Sequence, residues 1–172
     1  MAIERGAQRK IEGLVDMGSR NTFALVALLL ALPAYDVFAQ QSADIDGVKA
    51  ASKAFYEAVV VVDDGTAMEK VWAQTPYVTY VGPRSTAIIV GWEGQRKYWS
   101  EFNKPFSQRT VALVDAHIRV VGHLAWEIGT ESGLAHMKDG STRKVDWIAT
   151  NVYEKIDGRW LTVSHHVQPK PQ

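Results

Sequence analysis

Residues 151–169 read NVYEKIDGRWLTVSHHVQP, two runs rich in β-branched and aromatic residues hinged on Asp157-Gly158. Asp-Gly between two such runs is a strong hairpin signal. The loop length decides which side chains share a face. A two-residue type I′ loop sets Tyr153 beside Thr162 and Asn151 beside Ser164, with His166 on their face. A three-residue loop with Gly158 left-handed moves the parity by one and brings Asn151 and Tyr153 onto the face of Leu161, Val163 and His165. Side-chain segregation favours the longer loop, because Trp147, Ala149, Tyr153, Leu161, Val163 and Val167 then collect on one side with only Asn151 and His165 among them. On that reading His165 points inward and His166 outward. A histidine and an asparagine on an apolar face need partners, from each other, from backbone or from a water-filled pocket.

Upstream, three long strand-like segments lie around residues 108–121, 123–134 and 143–156, joined by Gly122-His123 and by Lys138-Asp139-Gly140-Ser141. In the first, Val111, Leu113, Asp115, His117 and Arg119 alternate against a wholly apolar set, Ala112, Val114, Ala116, Ile118 and Val120, whose face should be buried. Asp115, His117 and Arg119 then form either an acid-base row or a ladder of charge facing solvent or a second copy. YVTYV (77–81) and TAIIV (86–90), with Gly82-Pro83-Arg84-Ser85 between them, make a shorter hairpin.

Helical periodicity marks three further segments. Val48, Ala51, Phe55, Ala58, Val59 and Val62 follow a polar lead-in, 40–46, that offers Ser42, Asp44 or Asp46 as cap. Residues 66–73 read as a short second helix capped by Asp64 or Thr66. After Gly91, a third places Trp92, Gln95, Trp99 and Phe102 on one face and ends before Pro105. Helices first and sequential strands after argue an α+β domain, a curved, mostly antiparallel sheet with helices in its concave side.

The 172 residues, 47% of them apolar, suit one domain with a real core. Phe23 to Ala34 is an unbroken apolar run, short of the roughly 20 residues of a spanning helix. It follows Arg20 and precedes Val37-Phe38-Ala39, a small-residue cleavage pattern. Residues 1–39 thus read as a secretory signal peptide, with Met17 as the true start, and 40–172 as a single mature domain that is periplasmic or secreted and leaves the membrane on cleavage. The chain has no cysteine, so its stability rests on packing. From Gln40 onward 15 Lys plus Arg balance 15 Asp plus Glu, which disfavours a nucleic-acid partner.

The pattern T-x-V-Y at Thr150–Tyr153 followed by Asp157-Gly-Arg-Trp-Leu-Thr-Val-Ser-His-His166 resembles the C-terminal hairpin of SnoaL-like proteins in the nuclear transport factor 2-like superfamily. It is similar too to the association domain of calcium/calmodulin-dependent kinase II. DAHIRVVG (115–122), the LAW that follows it and GWEGQRKYW (91–99) fit in order, so the resemblance covers roughly 46–168. It implies a cone of three helices and a strongly bent sheet around a cavity, often dimeric through the outer sheet face. Members range from isomerases, dehydratases and cyclases to binding and assembly modules, so function does not follow from fold. Arginines line the cavity in the kinase association domains; the corresponding positions here are Ile128, Asn151 and Val167, so that carboxylate pocket is not carried over.

No nucleophile elbow, phosphate loop or metal-spaced histidine set occurs, and no cofactor is implied. Aromatics on every element, Tyr56, Trp72, Tyr77, Tyr80, Trp92, Trp99, Trp126, Trp147 and Tyr153, converge on one interior, as core or as the wall of a pocket for a small, mainly apolar or aromatic ligand. The expected ligand set is Tyr56, Trp72, Tyr80, Trp99, Trp126, Ile128, Trp147 and Asn151. For an isomerase, cyclase or dehydratase working by cofactor-free proton transfer, His165 is the general base and Tyr153 the oxyanion donor. The rival reading is a non-catalytic, dimerising or ligand-carrying module.

Overall fold

The computed structural model describes the backbone of residues 19–170 and the side chains of 39–170. Residues 1–18, including Met17, lie outside the described residues, and so do the side chains of the apolar run and of Val37 and Phe38 at the expected cleavage site. The chain divides into two units, Met1–Ser42 and Ala43–Gln172; the second carries everything below. Among the described residues no helix is long and apolar enough to cross a membrane.

Helix α1 (Ser19–Val60) runs through the expected polar lead-in, so none of Ser42, Asp44 or Asp46 caps it. Nothing in QQSADID breaks a helix as Pro or Gly would. In the second unit it buries Val48, Ser52, Phe55, Tyr56 and Val59, one stripe at helical spacing. Helix α2 (Thr66–Glu69) is only four residues long. Its expected continuation to Ala73 is captured by the sheet: Thr162 N–H donates to Val71 O and Ala73 N–H to Thr162 O, each at 2.9 Å. The expected Asp64 accepts the Thr66 amide at 3.3 Å, and the carboxylate of Asp63 adds to it by accepting the Gly65 and Ala67 amides at 2.8 Å.

Strands β1 (Thr79–Val81) and β2 (Ile89–Val90) form the short antiparallel hairpin, and α3 (Trp92–Phe102) follows, burying Trp92, Gln95 and Trp99 as its periodicity requires. Then come β3 (Phe106–Val121), β4 (Leu124–Met137), β5 (Thr142–Ile156) and β6 (Arg159–Pro169). The six-stranded curved sheet has the order β2-β1-β6-β5-β4-β3, and only β1 and β6 pair in parallel. Bulges supply bends. One in β3 falls between Val114 and His117, where Asp115 takes φ 54°. It breaks the strict alternation read from the sequence. Val111 and Leu113 pack inward before it, Ile118 and Val120 after it, while Ala112, Val114 and Ala116 are exposed. Asp115, His117 and Arg119 are exposed as well, so no interior acid-base row forms.

The terminal hairpin corrects a second expectation. Ile156 pairs with Arg159, which leaves a two-residue loop with positive φ at both Asp157 (50°) and Gly158 (78°), the type I′ pattern. Tyr153 therefore lies opposite Thr162. A bulge between Val152 and Tyr153 then shifts the register by one, and Asn151 meets His165 after all. His165 faces in and His166 out, by a bulge rather than by loop length.

Candidate functional site

The concave face of the sheet carries a cross-strand row, Glu127 on β4, Asn151 on β5 and His165 on β6, which are register partners. Tyr56 reaches it from α1, Tyr153 from β5 and Glu131 from two strand repeats along β4. The Asn151 amide nitrogen donates to the Tyr56 hydroxyl at 3.1 Å and to Glu127 Oε2 at 3.2 Å. The Tyr153 hydroxyl donates to the same Glu127 oxygen at 2.9 Å, and Tyr56 donates to Glu131 Oε1 at 3.1 Å. These bonds fix the amide, so its Oδ1 accepts from His165 Nδ1 at 2.6 Å. The proton is on Nδ1, and Nε2 keeps a free lone pair.

That lone pair faces Glu131 Oε1 at 3.6 Å, too far for a hydrogen bond. The contact is not an ion pair either. Burial pushes the imidazole down to about 3, with His166 adding to the effect, so His165 is neutral at physiological pH. Burial pushes the Glu131 carboxyl up to about 7, although the Tyr56 hydrogen bond pulls the other way. Each desolvated group avoids its charged form. Burial also raises the Tyr56 phenol, helped by Glu131, and the Tyr153 phenol, helped by Glu127.

Glu131 and His165 form part of the wall of a cavity of about 210 Å³ whose apolar lining includes Val59, Tyr80, Trp99, Phe102, Phe106 and Trp147. The Tyr80 ring stacks on His165 at 5.4 Å between centroids, and its hydroxyl lies 3.2 Å from that of Tyr98. Arg109, on β3, completes one side and is only 5% exposed. On the other side of the polar row, Tyr56 and Glu127 line an open cleft between α1 and β3.

Of the residues expected from sequence, Tyr80, Trp99, Trp147 and His165 line the cavity. Asn151, Tyr56 and Tyr153 belong to the network behind it. The Tyr153 hydroxyl is committed to Glu127 and stands outside the cavity wall, so it is not placed to act as an oxyanion donor. Trp72 and Trp92 are core, and Tyr77 is half exposed. Trp126 and Ile128 are placed wrongly by the sequence reading: they are 39% and 42% exposed on the convex face. In β4 the usual pattern is inverted, since Ala125, Glu127, Gly129 and Glu131 point inward while Leu124, Trp126, Ile128 and Leu134 point out.

Glu127, Glu131 and Arg109 are the residues sequence reasoning missed. The pairing of Glu127 with Asn151 was the available signal: antiparallel register puts cross-strand partners on one face. Among the described residues no group of His, Asp and Glu gathers as a metal site.

The fold recurs in solved structures. A provisionally named dehydratase of the NTF2-like family from Streptomyces avermitilis superposes with a TM-score of 0.68 at 23% identity, over 76% of this chain and 99% of that one. An NTF2-like superfamily protein from Salmonella enterica gives 0.61 at 21%, over 77% and 92%. The association domain of C. elegans CaMKII gives 0.59 at 15%, over 75% and 98%. At these identities the likeness carries the fold alone. No curated protein matches the sequence. The SnoaL-like domain family, by contrast, matches residues 48–168. Fold, hairpin and family match agree: the chain shares its fold with nuclear transport factor 2-like proteins and belongs to the SnoaL-like domain family.

Proposed function

We propose that the cavity binds a small, mainly aromatic molecule and moves a proton on it without a cofactor, as an isomerase, cyclase or dehydratase does. The observation that carries this reading is the Glu131 carboxyl, held near 7 beside a neutral imidazole in an aromatic-walled cavity. A general base works best when its pKa lies near the operating pH. Glu131 meets that condition and His165, at about 3, does not, so the base moves from the histidine to the glutamate. Ionised Glu131 takes a proton from a carbon next to a carbonyl, and the electron pair moves onto the carbonyl oxygen. Tyr80 and Tyr98 share one hydrogen bond between two hydroxyls, which leaves one O–H to stabilise that oxygen. Glu131 then returns the proton to a different carbon. His165, orientated by Asn151, accepts a ligand hydrogen bond at Nε2.

The convex face supports a homodimer in the same reading. Val121, Leu124, Trp126, Ile128, Leu134 and Ile148 are exposed there, a patch of the kind that marks an interface. The likeness to an association domain is in keeping with it. The leader-like sequence supports a mature domain that works in the periplasm or outside the cell.

The test is deuterium uptake from D2O into acetophenone and 2-tetralone, followed by NMR, after a thermal-shift screen of small aromatic compounds. Uptake above the buffer rate, rising with pH through about 7 and lost in Glu131→Gln, supports the reading. Bound ligand with no exchange leaves the ligand-carrying module; no thermal shift with any aromatic compound refutes the pocket itself.

A further inference from the structure

We propose that the ligand of this cavity is an aromatic carboxylate, with Arg109 as the group that receives its anion. The inference rests on the cavity being a small-molecule pocket and names the class of molecule it takes.

Arg109 is a buried cation that makes no ion pair among the described residues, with Asp63 acting on it only at longer range. Its Nη2 donates to the carbonyl oxygens of Val59 and Val61, the latter at 3.1 Å, and its guanidinium lies 4.8 Å and 5.2 Å from the ring centroids of Phe106 and Phe102. The hydrogen bonds use one nitrogen. Nε and Nη1 are buried and have no hydrogen-bond partner, which leaves one N–H on the first and two on the second unsatisfied. Among the described residues no carboxylate lies within ion-pair distance of it. Burying a charge and several donors without partners is costly, and native structures rarely tolerate it. Burial lowers the guanidinium pKa to about 10, although Tyr80, Tyr98 and Asp63 pull the other way. A second donor in the same wall, Trp99 Nε1, is unpartnered too.

The chain as a whole is electrically balanced, 19 basic against 19 acidic residues, yet this wall is not. Arg84, Arg143 and Lys144 join Arg109 around the cavity, and the one acid in it, Glu131, is half neutralised at its pKa of about 7. Lys144 is engaged by Asp146 at 2.8 Å, so Arg84 and Arg143, both exposed, are the cations that steer an anion inward. An anion with an aromatic body fits the rest, because Tyr80, Trp99, Phe102, Phe106 and Trp147 supply the remaining surface. About 210 Å³ holds one ring or two fused ones. Arg109 pairs with Ala135, four residues along β4 from Glu131, a strand rise of about 13 Å. A carboxylate on Arg109 therefore directs the opposite end of the molecule towards Glu131 and His165.

The experiment is isothermal titration of the full chain with 2-naphthoate and with 2-naphthamide, its neutral counterpart of the same shape, at low and high salt. The acid should bind roughly tenfold tighter or more, the value of a hydrogen bond to a charged group, and the advantage should shrink with salt. Arg109→Met should bring the acid to the affinity of the amide and leave the amide unchanged. If circular dichroism finds that variant unfolded, the acid-amide comparison on the unaltered chain decides, with Arg84→Gln/Arg143→Gln lowering the on-rate of the acid alone. Equal affinity of acid and amide overturns the anion site and leaves the pocket standing. So does an acid advantage that survives in folded Arg109→Met. Binding of neither compound overturns both.

Discussion

Replacing Glu131 by glutamine tests the electrostatics of the site directly, because glutamine has the shape of the protonated acid and can still accept from the Tyr56 hydroxyl. The carboxyl titrates at 4.5 when free and at about 7 when folded. Folding therefore favours its protonated form, and between those two values the native chain holds a proton that the unfolded chain has released. Stability attributable to Glu131 is complete below 4.5 and falls as pH rises to about 7. At about 1.4 kcal/mol per pH unit the loss is about 3 kcal/mol. His165 acts in the opposite sense. Its imidazole falls from 6.5 to about 3 on folding, so its contribution is complete above 6.5 and is lost as pH falls towards 3. Between pH 4.5 and 6.5 the two slopes oppose each other and nearly cancel. Urea denaturation of the wild type should be close to flat in that window, whereas Glu131→Gln should gain stability with pH. The variant should match the wild type near pH 4.5 and exceed it by about 3 kcal/mol at pH 8. A variant-minus-wild-type difference that does not change with pH, or a variant less stable at pH 8, would refute the assignment of a buried, reluctantly ionised carboxyl.

Asn151→Ala strands the Nδ1–H of His165 and removes a donor from both Tyr56 and Glu127, so it should cost about 3 kcal/mol or more in urea denaturation. Gly133→Ala places a methyl group 1.7 Å from the Thr110 carbonyl oxygen; it should break the β3–β4 pairing there and lower stability by roughly 3 kcal/mol, read from the melting temperature. Trp126→Glu, on the convex face, should shift sedimentation from dimer to monomer while changing the stability of the monomer by no more than about 0.5 kcal/mol. An unchanged sedimentation profile would argue against that face as the dimer interface.

The hairpin shows how far local rules reach. Asp157-Gly158 specified a tight reversal, and the runs on either side specified strands, because turn chemistry and β-branching act over a few residues. Side-chain segregation misleads on the loop length because a bulge that no local feature announces lies between the loop and Asn151. The same happened in β3, where Asp115 resets the alternation. In β4 the inversion had a different origin. A strand exposes one face to the cavity and the other to the convex surface, and alternation alone does not say which apolar set goes inside. Trp126 and Ile128, expected as lining, lie outside, and Glu127 and Glu131, which the sequence reading does not single out, lie inside.

By itself the sequence determined the element types, their order, the α+β class and the SnoaL-like family, because periodicity, turn residues and motif spacing are properties of neighbouring positions along the chain. It also marked His165 and Asn151 as polar groups in need of partners. Only the tertiary structure decided what those partners are, that Glu131 holds its proton to about 7, and that Arg109 stands in the cavity wall with Nε and Nη1 unpartnered among the described residues. The reason is physical: acidity and hydrogen-bond satisfaction depend on the dielectric and the groups within a few ångströms, and those are set by strands far apart in sequence meeting in one register.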